Sequence, residues 1–257
     1  MNIPPDGIVL RAPWPDKIEH LSDQEIEETL QAFVNGYVGK NVSSILFNVN
    51  YQRVCYESDV WDTYWDVPQP DSIKDWPLLF WQQQQKGIDV FEVVTEHSRK
   101  CGISPWLSFR MNDHHYFNEP GKVNTFLLSD TSARPGNFFN YENPDIRDHF
   151  LKLIEEAVLR YDIDGIELDL LRTPGNYGST ASMNLFIKSV KDLLTEISDT
   201  KKKEIKIAVR VPSTPEGGIG FGLDPVLWTK NGWVDIVIPS NFDSFNNDIP
   251  VEVWREK

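Results

Sequence analysis

Two hydrophobic periods alternate along this chain, one near 3.6 residues and one of 2, the marks of helix and strand. The first apolar run, 7–13 (GIVLRAP), reads as a strand. Ser22, Asp23, Gln24 and Glu25 follow as a capping box, in which the Ser22 hydroxyl and the Glu25 carboxylate close the first helical turn reciprocally. Ile26, Leu30, Phe33, Val34 and Tyr37 continue at helical spacing, and Gly39 ends that helix. Further strands are predicted at 42–51 (VSSILFNVNY), 103–111 (ISPWLSFRM), 161–172 (YDIDGIELDLLR), 206–211 (KIAVRV) and 233–240 (WVDIVIPS). Helices are predicted between them. One covers 88–100, with Val90, Val93, Val94, His97 and Cys101 on one side. Another starts at Asn143 and Pro144, a good N-cap and first-turn pair, and buries Ile146, Phe150, Leu153, Ile154, Ala157, Val158 and Tyr161. A third carries Leu185, Phe186, Val190, Leu193, Leu194 and Ile197, and a short one is expected at 225–229. Two long stretches, 52–81 and 112–142, read as irregular.

Strand and helix alternate without a hairpin signal, which calls for βαβ units and a parallel sheet. Strand parity then separates two faces. Ser108, Arg110 and Asn112 share one face of the third strand, Glu167 and Asp169 one face of the fourth, and Arg210 lies on the fifth. Inner strands of an open doubly wound sheet are apolar on both faces, whereas a barrel interior takes a polar upper layer. No glycine-rich phosphate loop follows the first strand. The expected fold is α/β, of the (β/α)8 TIM-barrel type, as one domain over 1–257. Six βα units are visible, so the barrel is expected to be incomplete at its C-terminal side.

Composition narrows the partners. The 257 residues suffice for one large core, and the formal net charge of −14, with a pI near 4.8, disfavours nucleic acid and anionic membrane surfaces. No apolar run is long enough to span a bilayer, and Met1 to Gly7 carries no signal-peptide pattern, which leaves the compartment open. Cys55 and Cys101 read as two unpaired thiols. The oligomeric state is not legible in the sequence.

The chemistry-bearing residues gather at the C-terminal strand ends, where barrel enzymes place their sites. Asp169 is the candidate catalytic carboxylate. Glu167, one layer deeper, is expected in a structural ion network, with Arg110 and Arg210 flanking the two carboxylates as a cation–anion–cation ladder. Asn112, Asp113, His114 and His115 follow the third strand and suit contacts to substrate hydroxyls. Asn50 and Tyr51 at the end of the second strand, and Arg172 at the end of the fourth, join them, although Asn48 and Asn50 suit loop anchoring equally well. Asp243, after the sixth strand, is a second mouth carboxylate or a turn residue. Tyr56, Trp61, Tyr64, Trp65, Trp76, Tyr116 and Phe117 either pack the long loops or stack on a sugar ring. No metal ligand set is assigned, because adjacent histidines do not match a zinc pattern; metal-assisted hydrolysis through Asp113, His114 and His115 is the weakest reading. No cofactor is expected.

The runs SFRMNDHHY (108–116) and NPDIRDHFLKLIEEAVLRYDIDGIELDLLRTP (143–174) resemble the family-10-like glycosyl hydrolases, bacterial barrel proteins mostly without an assigned activity. The resemblance extends over roughly Ser43 to Pro174. It implies a glycoside hydrolase acting on a poly- or oligosaccharide, with carboxylate catalysis at the C-terminal face of the barrel. The DGIELD segment is also similar to the fourth-strand DGxDxDxE signature of family 18 chitinases; there Glu167 and Asp169 take the two Asp places and Leu171 falls at the proton donor. In α-galactosidase-like barrels an Asp ends the fourth strand and another follows the sixth, the places of Asp169 and Asp243. A non-catalytic carbohydrate-binding barrel is the alternative, since Leu171 stands where an acid is wanted.

Overall fold

The computed structural model describes residues 1–66, 75–116, 118–129, 139–173, 175, 177–242 and 248–257. Six strands form one sheet: β1 (Asn2–Ile3), β2 (Ser44–Asn48), β3 (Ser104–Arg110), β4 (Gly165–Asp169), β5 (Lys206–Pro212) and β6 (Ile236–Ser240). Every neighbouring pair is parallel, and the spatial order is the chain order. Right-handed crossovers in an unreversed order put all connecting helices on one face. A doubly wound sheet reverses its order and covers both faces. This sheet is therefore the wall of a (β/α) barrel, with six strands among the described residues.

The two faces differ in chemistry as parity requires. Toward the helices point Ile3, Ile45, Phe47, Leu107, Phe109, Ile166, Leu168, Ile207, Val209 and Val211, all buried. They meet the apolar stripes of α2 (Asp23–Asn35), α4 (Val90–Lys100), α6 (Pro144–Arg160) and α7 (Thr180–Lys201) in one continuous core. The opposite face carries Asn2, Asn48, Ser108, Arg110, Glu167, Asp169 and Arg210.

One contact measures the curvature. Asn2 on β1 donates through Nδ2 to Ser108 Oγ on β3 at 3.0 Å, and to Glu167 Oε2 on β4. Strands lie about 4.8 Å apart, so in a flat sheet β1 and β4 stand roughly 14 Å from one another. An Asn side chain cannot cover that distance, so the sheet curls around its polar face. Low in the same face, Trp106 lies over Gly165: a Cβ at Gly165 would stand 2.5 Å from the indole ring.

Several local expectations change. The 7–13 run is not a strand: α1 (Pro5–Val9) takes its first residues, and β1 lies before it. Pro5 at the helix start explains the difference, since its fixed φ suits a first turn and it offers no N–H to a ladder. Helix α3 (Asp75–Gln85) occupies part of the stretch read as irregular, as does α5 (Thr125–Ser129). Helix α8 (Pro215–Gly220), seeded by the Thr214 N-cap, was not expected, and α9 (Pro225–Lys230) was. Gly36 caps α2 before Gly39, which instead takes a positive φ of 74° in the following turn. Leu185 points outward on α7 at 59% exposure, and Met183 and Ile187 replace it in the buried stripe. On α4 the buried side is Val90, Phe91, Val94, Thr95 and Ser98, with Val93, His97 and Cys101 at its margin. The chain's final short helix, α10 (Val251–Arg255), follows β6.

Candidate active site

The carboxylates of the fourth-strand segment sort by depth. Asp162 and Asp164 lie at the N-terminal end of β4, where Arg99 and Lys203 pair with both. Charge pairs at that end of a barrel serve stability rather than chemistry. Glu167 sits mid-strand and Asp169 at the C-terminal end, both almost fully buried on the polar face.

Asp169 is tightly held. Arg210 Nη1 donates to Oδ1 at 3.2 Å and to Oδ2 at 3.1 Å, and the Leu171 N–H donates to Oδ1 at 3.0 Å. A carboxylate offers about four acceptor positions. Three are used, which leaves one on Oδ2 among the described residues. Arg210 itself is braced by Ser240 Oγ, 3.4 Å from its Nε.

Glu167 does not join an arginine ladder. Its direct partners are neutral donors, Asn2 and Ser108. Burial first, and then the neighbouring Asp169 charge, push its pKa up to about 7. At neutral pH the pair thus avoids stacking two full negative charges, and Asp169 is the member paired with a cation. The expected structural ion network gives way because Asn2 arrives from a strand too short to be read from periodicity.

Arg110 departs from the ladder as well. It is in register with Asp169, but its Nη1 turns to Asp113 Oδ2 at 2.9 Å, and its guanidinium lies 4.0 Å from the Tyr51 ring centroid. Asp113 is fully buried. Its other oxygen accepts from the His115 backbone N–H at 2.7 Å and from His115 Nδ1 at 2.8 Å. Burial works to raise the Asp113 pKa; the His115 hydrogen bonds and the Arg110 charge outweigh it and hold it below the usual range. A carboxylate accepts only, so Nδ1 of His115 carries a proton, and in the neutral ring Nε2 is then the acceptor. Arg172 Nη2 stands 3.3 Å from that Nε2. The result is a chain, Arg110–Asp113–His115–Arg172, running from the interior to the surface.

These positions divide the expected substrate contacts. His114, His115, Arg172 and Arg210 line a cavity of about 230 Å³ together with Leu171, Thr173 and Phe242. Asn50 is buried, and its amide bridges β2 and β3: Oδ1 accepts from Arg110 N at 3.0 Å and Nδ2 donates to Arg110 O at 3.1 Å. The loop-anchoring reading describes it. Asn112 Oδ1 accepts from Phe139 N at 3.0 Å, and Asp113 has both oxygens engaged, so neither presents itself to the cavity. The engagement of Asp113 by Arg110 and His115 also counts against its use with His114 and His115 as a ligand set, and among the described residues no group of three acidic, His or Cys side chains is placed to hold a metal. Tyr51 donates to Asp6 and is ringed by Tyr64, Trp76, His115 and Tyr116; burial raises its pKa strongly. Tyr56, Trp61, Tyr64 and Trp76 are likewise buried as loop packing. Asp243 and Phe117 lie outside the described residues. Asn2, Thr173, Ser240 and Phe242 are additional neighbours of the site; Ser240 shares parity with Arg210 across β5 and β6 and was legible, whereas Asn2 was not.

No protein-family model and no curated protein matches the chain. Solved structures do. A multi-modular cell-surface chitinase from a Paenibacillus species superposes with a TM-score of 0.51 at 12% identity, over 99% of this chain and 28% of its own. A family 18 N-acetylglucosaminidase from Paenibacillus barengoltzii gives 0.44 at 11%, over 92% and 50%. A family 36 α-galactosidase from Geobacillus stearothermophilus gives 0.41 at 11%, over 95% and 31%. The chain spans half or less of the length of these proteins, and at 12% identity the likeness to the first of them speaks for the fold alone.

Proposed function

We propose that this barrel is a glycoside hydrolase of the family-10-like kind, acting on a poly- or oligosaccharide, with Asp169 as nucleophile or general base. The observation that carries this reading is the Asp169 carboxylate. It ends β4 at the catalytic end of a barrel strand, is fixed from two sides by Arg210 and the Leu171 N–H, and retains one acceptor position on Oδ2. Arg210 links that carboxylate to the cavity wall. Glu167 acts from beneath as a positioning residue, holding a proton near neutral pH so that the pair carries one charge. Asp243 is the partner acid by its place after β6. The natural protein should hydrolyse at least one member of a glycan panel, and Asp169→Asn should lower turnover by roughly 10²–10⁴-fold. Turnover unchanged by that substitution contradicts the reading.

A specific observation favours a second reading, a carbohydrate-binding barrel without turnover. Leu171 stands at the donor place of the chitinase-like pattern and is 2% exposed, so no acid replaces it there. That reading expects saturable sugar binding and no hydrolysis by the natural protein.

A further inference from the structure

The mouth cavity has the wrong charge for the molecule that carries it. The chain has a formal net charge of −14, yet the charged groups on this cavity wall are Arg172 and Arg210, with His114 and His115 beside them and no carboxylate among the described residues. Arg210 is paired with Asp169. Arg172 differs. The partner it has among the described residues is the imidazole Nε2 of His115, so its charge is not paired with a carboxylate there. Nor is it a loose surface side chain. Asp113, fully buried, fixes His115 through Nδ1, and Arg110, itself buried, fixes Asp113. Two buried residues and the half-buried His115 therefore anchor one guanidinium, most of whose donors are uncommitted among the described residues.

A neutral sugar does not require this arrangement. Preorganised guanidinium forks recognise planar carboxylates with two parallel hydrogen bonds. The cavity is also small: about 230 Å³, below the range of roughly 300–1,000 Å³ typical of sites that enclose a whole ligand. It accommodates one ring or one substituent, with Phe242 as an apolar wall. We infer that this site binds an acidic saccharide, with the carboxylate of a uronic-acid-type residue on Arg172. The inference rests on the carbohydrate reading above and adds the substrate class to it. Arg172 is a specificity residue here, His115 and Asp113 position it, and Asp169 is the group for chemistry.

The test is calorimetric titration of the natural protein with a galacturonate trisaccharide, its neutral galactose counterpart and a sulfated counterpart of the same length. The acidic trisaccharide should bind about tenfold to a hundredfold more tightly than the neutral one, the worth of one charge-assisted contact, and added salt should shrink the difference. Arg172→Met keeps the stem and should abolish the preference while leaving the weak neutral binding intact. Arg172 is exposed, so the variant should retain the wild-type Tm. His115→Gln, which breaks the positioning link, should lose part of the preference. Asp169→Asn should keep it. Equal binding of acidic and neutral sugars, or a preference that survives Arg172→Met, overturns the inference. Tighter binding of the sulfated sugar overturns the carboxylate assignment. Acidic-sugar binding without turnover defeats the hydrolase reading and leaves this inference standing; turnover restricted to neutral sugars does the reverse.

Discussion

At the scale of single residues, position along one strand decides role. Asp162, Asp164, Glu167 and Asp169 are four carboxylates within eight residues: the first two share Arg99 and Lys203 at the N-terminal end of β4, Glu167 meets neutral donors mid-strand, and Asp169 meets Arg210 at the C-terminal end. Parity was enough to put Glu167 and Asp169 on the polar face and Arg210 beside Asp169, because in-register parallel strands place Cα partners on the same side. Parity could not foresee that Arg110 turns away to Asp113. That contact depends on the chain folding back after β3, and a loop carries no periodic signal. The buried Arg110–Asp113 pair makes a direct prediction. Asp113→Asn removes the counter-charge of the buried Arg110 guanidinium, and should cost about 3–5 kcal/mol in urea unfolding. A cost below 1 kcal/mol would show that the pair is not what holds this loop.

At the scale of elements, the strand and helix alternation was legible and the exceptions have physical causes. β1 is two residues long, too short for a period of 2 to register, and yet it supplies Asn2 to the heart of the polar face. Helix α3 escaped notice because its aromatic and glutamine run, DWPLLFWQQQQ, lacks a clean apolar stripe. The site, too, was only half legible: the carboxylate and its arginine follow from strand register, whereas the relay from Arg110 to Arg172 crosses from β3 to the loop after β4. Close packing marks the N-terminal end of β4 on the polar face. Gly165 faces the Trp106 ring, and a methyl group there would stand 2.5 Å from it. Gly165→Ala should therefore destabilise by about 1–3 kcal/mol, the usual effect of overpacking, read as a lowered Tm. Gly165→Ala in combination with Trp106→Leu should recover part of that loss; no recovery would mean that the strain lies in the backbone.

At the scale of the whole molecule, a buried carboxyl and a half-buried imidazole at separate places work against one another. Glu167, with a pKa near 7, binds its proton more tightly in the folded state than a free carboxyl near 4.5. Its contribution is full at low pH and is lost as pH rises from about 4.5 to 7, roughly 3 kcal/mol in all. His149 is stacked between Trp61, at 3.7 Å between ring centroids, and Phe126, at 4.4 Å. Burial lowers its pKa to about 4 from 6.5. Its contribution is full above pH 6.5 and is lost as pH falls toward 4, by a similar amount. Between pH 4.5 and 6.5 the two slopes nearly cancel. Glu167→Gln should unmask stability that rises with pH across that window, and His149→Phe stability that falls, both read as urea midpoints. Slopes indistinguishable from wild type in both variants would contradict the assignment.

The whole functional reading converges on Asp169, and turnover by the Asp169→Asn protein tests it most directly. The galacturonate, galactose and sulfated oligosaccharides, together with neutral β-linked glycans, form the panel. Wild type should cleave at least one of them, and the variant should bind that glycan with nearly unchanged affinity while its kcat falls by roughly 10²–10⁴-fold. A variant that binds and cleaves as wild type does would contradict the account, because the Asp169 carboxylate that Arg210 and the Leu171 N–H fix at the end of β4 would then take no part in the chemistry.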